Sequence, residues 1–231
     1  MTDSKHAAPT QKPVTFFNRR QFLGTAGTLA GTLAAGTLLG SNNVWAAAAS
    51  KKITVITGSP HRRGATFLLA DHFIRGAREA GAEVFRFDSG FKRVTPCSGC
   101  DRCGLGSSDC VYRDDMFEVN PHLIDADLVV FCSPLYYFGF SAQIKAVIDR
   151  FYAINTQLHV SKEAVLLAAA WNSSEETFPA LIHHYEALVR YMGWTDVGQV
   201  CATGCGTRSA CEGSVFPQQA YELGRKVGVS S

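Results

Sequence analysis

The sequence carries no surplus of charge: 22 basic residues stand against 20 acidic ones, a formal net charge of +2. Setting aside the first 49 residues removes Lys5, Lys12, Arg19, Arg20 and Asp3, which leaves 18 basic against 19 acidic residues, a net −1. That balance supplies no basic stripe for nucleic acid or an anionic membrane surface. After residue 49, internal repeats, low-complexity tracts and any second long apolar run are absent. The loop after the first apolar run, "TGSPHRRGATF", is neither a Walker A loop, which needs Gly-Lys-Ser/Thr, nor the dinucleotide G-x-G-x-x-G. What is present has the length of one domain with a sizeable core.

Residues 1–49 read as a targeting segment rather than as part of that core. They begin polar, reach "FNRRQFLG", continue through the small and apolar "TAGTLAGTLAAGTLLG" and end in the Ala-rich "VWAAAAS". A charged start, a mild apolar stretch and small-residue cleavage choices between Ala46 and Ala49 are the parts of a secretory signal. Arg19-Arg20 followed by Gln21-Phe22-Leu23 resembles the twin-arginine export signal, with Asn18 and Gly24 departing from its commoner flanks. The resemblance implies a periplasmic protein, the twin-arginine translocase as an export partner, and a cofactor loaded before export. An uncleaved membrane anchor is the competing reading, and the Gly/Thr/Ala-rich stretch is weakly hydrophobic for it.

From residue 50 to 231 apolar runs of two periods alternate. "KKITVITGS" reads as a buried strand and its loop, Thr66–Ala80 as an amphipathic helix stopped by Gly81, and "AEVFRFD" as a second strand. A helix over "DDMFEVNPHLIDA" is expected to be interrupted or bent at Pro121, with Asp114 and Asp115 capping its start. Strands follow at Asp127–Pro134, Glu163–Trp171 and "TDVGQVCATG", and helices at Ser141–Tyr152, over "EETFPALIHHYEALVRYMG" and after Pro217. Strands alternating with helices predict an α/β fold with a doubly wound, five-stranded parallel sheet. Ligands in such sheets bind outside the carboxyl ends of the strands, which gathers the loops at Gly58, Pro134, Asn172 and Gly204 along one edge.

Two of those loops carry chemistry. In "TGSPHRRGATF" small residues let a phosphate approach the backbone, Ser59 and Thr66 offer hydroxyls, and the amides of Gly64, Ala65 and Thr66 open a helix whose N-terminus favours an anion. In "SPLYYFGFSAQIKAVIDRF" two tyrosines and a phenylalanine stand at a strand's end, where a planar ring could lie, and Gly139 would let the chain turn before the next helix. Together with "DDM" at Asp114–Met116, the two loops resemble the NADPH-dependent FMN reductases and flavodoxin-like flavoproteins, from Ile53 to about Gly204. The resemblance implies FMN, its phosphate on Ser59, Gly64, Ala65 and Thr66 and its isoalloxazine ring against Pro134, Leu135, Tyr136 and Tyr137. Ala65 stands where the family often has Asn or Ser, which leaves that contact to backbone amides. NAD(P)H as donor and a homo-oligomer are implied on the same footing.

Cys97, Cys100, Cys103 and Cys110, half of the eight cysteines, fall in one short segment spaced C-x2-C-x2-C-x6-C. Four thiolates so spaced can hold a [4Fe–4S] cluster, and the pattern resembles the iron–sulfur flavoprotein branch of the same family. Zinc on the same thiolates, though zinc sites usually present two separated knuckles, and disulfides, which suit an oxidising compartment, stay open at this point. Of the others, Cys132 reads as a buried core thiol and Cys205 with Cys211 as a disulfide, with a second redox or metal role for Cys201, Cys205 and Cys211 as the competing reading. His183-His184 reads as an ordinary pair on a long helix. The expected protein is an exported FMN-dependent oxidoreductase passing electrons from a reduced donor to a small or protein acceptor. A non-catalytic electron carrier, and a thiol–disulfide protein that kept only the fold, are the competing classes. Export leaves little NAD(P)H within reach, so a protein or quinol donor competes with it.

Overall fold

The computed structural model describes residues 49–107 and 109–229. The expected export signal lies outside these residues, apart from Ala49. Five parallel strands, β1 (Lys52–Thr57), β2 (Glu83–Asp88), β3 (Leu128–Tyr136), β5 (Glu163–Ala169) and β6 (Thr195–Ala202), lie in the order β2-β1-β3-β5-β6. A sixth, β4 (Gly139–Phe140), pairs antiparallel with the end of β3 and was not expected from the sequence. β1, β3 and β5 are buried on both faces, which is why their sequences run apolar without alternation. Among the described residues no helix is long and apolar enough to cross a membrane.

Helices cover both faces of the sheet. On one, α1 (Ala65–Glu79) and α7 (Phe216–Val227) pack over Ile53, Val55, Val130, Leu167 and Ala202. On the other, α2 (Met116–Asp125), α3 (Ala142–Asp149) and α5 (Pro179–Met192) enclose Ile56, Phe131, Leu166 and Trp194. The short helices α4 (Asn155–Leu158) and α6 (Arg208–Glu212) fill the connections. α2 runs unbroken through Pro121, contrary to the expected interruption. Proline there leaves the Phe117 carbonyl without its helical donor. Both residues lie on the exposed side, while Met116, Val119 and Leu123 face inward.

α1 and α7 approach so closely that a methyl group on Gly76 would overlap the Tyr221 carbonyl, and one on Gly224 the Phe73 carbonyl. Backbone cannot give way as a flexible side chain can. Gly224→Ala is therefore expected to lower stability by about 1–3 kcal/mol, the usual cost of overpacking. A urea midpoint unchanged by the substitution would show that the helices can separate freely.

The strand order reverses direction between β1 and β3, so their carboxyl ends open a crevice between them. This is the switch point at which doubly wound sheets bind ligands. Gly58, immediately after β1, donates its N–H to Cys132 O at 2.8 Å and so marks that point. At the same edge Gly204 N donates to Asn172 O at 2.9 Å, joining the loops after β5 and β6 as expected.

Candidate active site at the carboxyl edge of the sheet

The loop from Gly58 to Thr66 forms an anion cradle. Gly64 is the N-cap of the 15-residue α1, in extended conformation (φ −85°, ψ 172°), with no side chain to cap the free amides. The first turn carries no acidic residue, and the exposed His61, Arg62 and Arg63 precede it. Unclaimed amides, the positive end of a helix dipole and flanking cations together suit a phosphate. Buried Ser59 shapes the turn by accepting the His61 N–H at 3.1 Å, and Thr66 is buried one residue inside the helix start. All four residues expected at a phosphate thus lie around one helix N-terminus.

The second loop is built differently from expectation. β3 continues past Pro134 to Tyr136, and Leu135 and Tyr136 pair with Phe140 and Gly139 of β4. Tyr137 and Phe138 form the two-residue hairpin turn, both left-handed at φ 45° and 64°. Gly139, expected to make the turn, sits in a strand. Such a turn ordinarily takes Asn-Gly, and non-glycine residues held there store strain on the order of 1–3 kcal/mol each. The strain holds three aromatic side chains out in solvent, Tyr137 fully exposed and Tyr136 and Phe138 largely so. Pro134 and Leu135 lie half-buried at their base, with Leu135 packed on the core.

Sequence reasoning missed the two serines that join these loops. Ser141 Oγ donates to Gly58 O at 2.8 Å, and Ser141 N donates to Ser133 Oγ at 3.0 Å. Gly58 has no room for a side chain because Ser141 and Ile144 occupy that space. The loop after β1 and the aromatic hairpin are thus tied directly to each other. The start of the cysteine segment is fastened to them as well: Ser89 Oγ donates to Thr57 O at 2.7 Å, and Gly90 packs on Ser59 O.

The cysteine segment leaves the same edge as a loop closed at its base. Arg93 N donates to Asp115 Oδ2 at 2.7 Å and Thr95 N to Asp114 Oδ2 at 2.9 Å. Asp114, one of the two carboxylates expected to cap α2, does so by accepting from Met116 N at 3.2 Å; Asp115 makes no side-chain cap. The buried guanidinium of Arg150 then clamps Asp114, with Nη1 to Oδ2 at 2.7 Å and Nη2 to Oδ1 at 3.3 Å, and donates to Thr95 O at 2.8 Å. Burial alone would push the Asp114 carboxyl up, and the hydrogen bonds from Arg150, Thr95 and Met116 outweigh it and hold the group below its ordinary range. No sequence signal joined Arg150 to Asp114, because 36 residues separate them.

Above this base Cys97, Cys100, Cys103 and Cys110 line one cavity of about 190 Å³, together with Tyr112 and Arg150. Left-handed backbone at Gly99, Asp101, Gly104, Leu105 and Gly106 turns the chain repeatedly around it. Among the described residues no three cysteine, histidine or acidic side chains are close enough to hold a single metal ion. Gly99 N donates to Cys97 Sγ at 3.4 Å, and the Arg102 amide donating to Cys100 holds that exposed thiol below its ordinary range. Amide donors of this kind favour thiolate over thiol.

The remaining cysteines behave oppositely. All eight are free thiols, so the expected Cys205–Cys211 disulfide is not formed. Burial pushes Cys132 up, Cys201 up to about 11 and Cys211 up to about 12. In protein prepared without metal, iodoacetamide at pH 8 is expected to modify Cys100 well before Cys132 or Cys211, read by mass-mapped peptides. Equal rates would contradict this ordering. His184 packs edge-on to Phe140 at 5.1 Å between ring centres, a core contact rather than a ligand position.

A doubly wound parallel sheet with an uncapped helix N-terminus and an aromatic hairpin at its switch point defines a flavodoxin-like fold. Residues 51–207 match the family described as NADPH-dependent FMN reductase, and the chain belongs to that family. It is 41% identical over 102 residues to an iron-sulfur flavoprotein of Archaeoglobus fulgidus, covering 44% of this chain and 51% of that protein. A second iron-sulfur flavoprotein, from Methanocaldococcus jannaschii, is 31% identical over 137 residues, covering 58% of this chain and 70% of that protein. The chain thus spans about half the length of the Archaeoglobus relative. Its fold matches an NAD(P)H:quinone oxidoreductase from Methanothermobacter marburgensis with TM-score 0.59 at 20% identity, covering 78% of this chain and all of that one.

Proposed function

We propose that this protein is an FMN-dependent oxidoreductase whose four-cysteine loop holds an iron–sulfur cluster beside the flavin. The observation that carries the reading is the uncapped α1 N-terminus joined through Ser133 and Ser141 to the aromatic hairpin at the β1/β3 switch point. Ala65 and Thr66 would hold the FMN phosphate by backbone amides, with Ser59 and Gly64, whose own amide donates to His61 O at 3.0 Å, shaping the turn. Pro134, Leu135, Tyr136 and Tyr137 would border the ring. Bound there, FMN supplies the electron chemistry and the chain supplies binding and orientation, which accounts for a site so poor in acid–base groups.

The cysteine loop fits a cluster on three counts. Its four thiols share one cavity, amide hydrogens reach Cys97 and Cys100, and the relatives matched by this chain are named iron-sulfur flavoproteins. With NADPH as donor and a soluble quinone as acceptor, sustained turnover by the FMN-loaded protein is the expected result. One reoxidation by quinone without steady-state turnover would instead assign a carrier. Reduction by dithionite but not by NADPH would remove the nucleotide from the reading and leave a protein or quinol donor.

The N-terminal segment extends the reading to twin-arginine export, cleavage between Ala46 and Ala49, and action in the periplasm. Replacing Arg19-Arg20 by two lysines is expected to retain the precursor in the cytoplasm. Undiminished periplasmic accumulation would reject that route.

A further inference from the structure

Of the two charged residues that line the cysteine cavity, Asp101 is exposed, whereas Arg150 is only 3% exposed. Arg150 follows α3, and its guanidinium stands over the Tyr112 ring at 5.2 Å, so that an aromatic face and a carboxylate fix its plane. Nη1 and Nη2 are taken up by Asp114 and Thr95. Cys110 lines the same cavity. Arg150 Nε is buried and has no partner among the described residues. A buried N–H left unpaired is costly, and Arg150 shares its cavity with the four cysteines.

Clamping the loop base would use only the two terminal nitrogens. Nε is left unused by that clamp, and Arg150 rather than its partner Asp114 lines the cavity. The pair is thus a fixed dipole with its positive end at the cavity. Such a dipole stabilises whatever negative charge the cavity gains.

We propose that Arg150 is a positioning residue that raises the reduction potential of the cysteine-held centre, with Asp114 behind it as the opposing charge. The inference rests on the cluster reading above. Reduction adds one electron to the centre and no proton, so the reduced form carries one more negative charge, and a nearby cation favours it. Removing the cation lowers the potential. Neutralising the carboxylate behind it raises the potential.

The test is an anaerobic redox titration of the full chain carrying FMN, followed by electron paramagnetic resonance, for the native protein, Arg150→Gln and Asp114→Asn. Iron content and flavin content are measured on the same samples. Arg150→Gln is expected to shift the reduced-to-oxidised ratio at least tenfold toward oxidised, which is about 59 mV for a one-electron couple. Asp114→Asn is expected to shift it toward reduced. Opposite signs from two halves of one ion pair are not produced by loosening of the loop, which moves both variants alike. If Arg150→Gln does not fold, Asp114→Asn decides alone: a rise supports the inference, and no change or a fall overturns it. Native protein without iron would defeat the cluster reading and this inference with it. Iron in all three with equal potentials would defeat this inference only.

Discussion

Gly64→Asp should abolish useful FMN binding while leaving the fold intact. The position is the N-cap of α1, its φ and ψ suit aspartate, and an added Cβ meets only His61 and Ser59 atoms at 3.2 Å or more. An N-cap aspartate takes up the free amides with its own carboxylate, which changes helix stability by no more than a few tenths of a kcal/mol relative to glycine. The same carboxylate puts a negative charge where the phosphate belongs and removes its donors. Losing two or three charge-assisted hydrogen bonds is worth at least about 3 kcal/mol, so the FMN dissociation constant should rise more than 100-fold. Flavin fluorescence titration gives the affinity, and a thermal melt of the flavin-free protein gives the stability. A large loss of affinity without a change in melting temperature assigns the α1 N-terminus to phosphate. An unchanged affinity would place the flavin elsewhere.

Cys103→Ser has the second largest expected effect, on iron rather than flavin. A serine hydroxyl is a poor replacement for a thiolate ligand, and a cubane needs four. Iron should fall from about four per chain to well below one, with FMN content retained, because the phosphate cradle and hairpin do not touch Cys103. Cys201→Ser serves as the comparison. Cys201 lies on β6 outside the cavity, and its replacement should leave iron unchanged. Equal iron in both variants would return the four thiols to a role without a cluster.

The sequence made the sheet and its ligand edge legible because parallel strands buried on both faces leave continuous apolar runs, as in β1, β3 and β5. The start of α1 at Gly64 was legible for a local reason: glycine next to a helix start needs no distant partner to be recognised. Three features were not. The β3–β4 hairpin was hidden because Tyr137-Phe138 is not a turn-forming dipeptide, and Pro134 appeared to end the strand. The serine link was hidden because Ser133 and Ser141 acquire meaning only once β3 and the start of α3 lie beside Gly58. Arg150 lies inside the helix expected over Ser141–Tyr152, and nothing local distinguishes it. Its role depends on Asp114 and Thr95, which the fold brings to it from the far side of the cysteine loop.

The same contrast sorts the cysteines. Spacing alone grouped Cys97, Cys100, Cys103 and Cys110, and the fold places them around one cavity. Spacing also suggested pairing Cys205 with Cys211, and the fold instead buries both as thiols beneath the loop after β6. Burial on an apolar face gave Cys132 its reading, and it held: the residue is fully enclosed between α1 and the sheet.

The central claim is that one chain holds two redox centres, a flavin on the α1 N-terminus and a cluster in the cysteine cavity. Its most direct test counts electrons. Full-length protein matured in an export-competent host, purified without oxygen and assayed for FMN, is titrated with dithionite while its visible spectrum is recorded. The account predicts about three electrons per chain, two entering the flavin and one the cluster. Uptake that stops at about two, with flavin bands alone bleaching, would contradict it and leave a flavoprotein whose four clustered cysteines carry no electron.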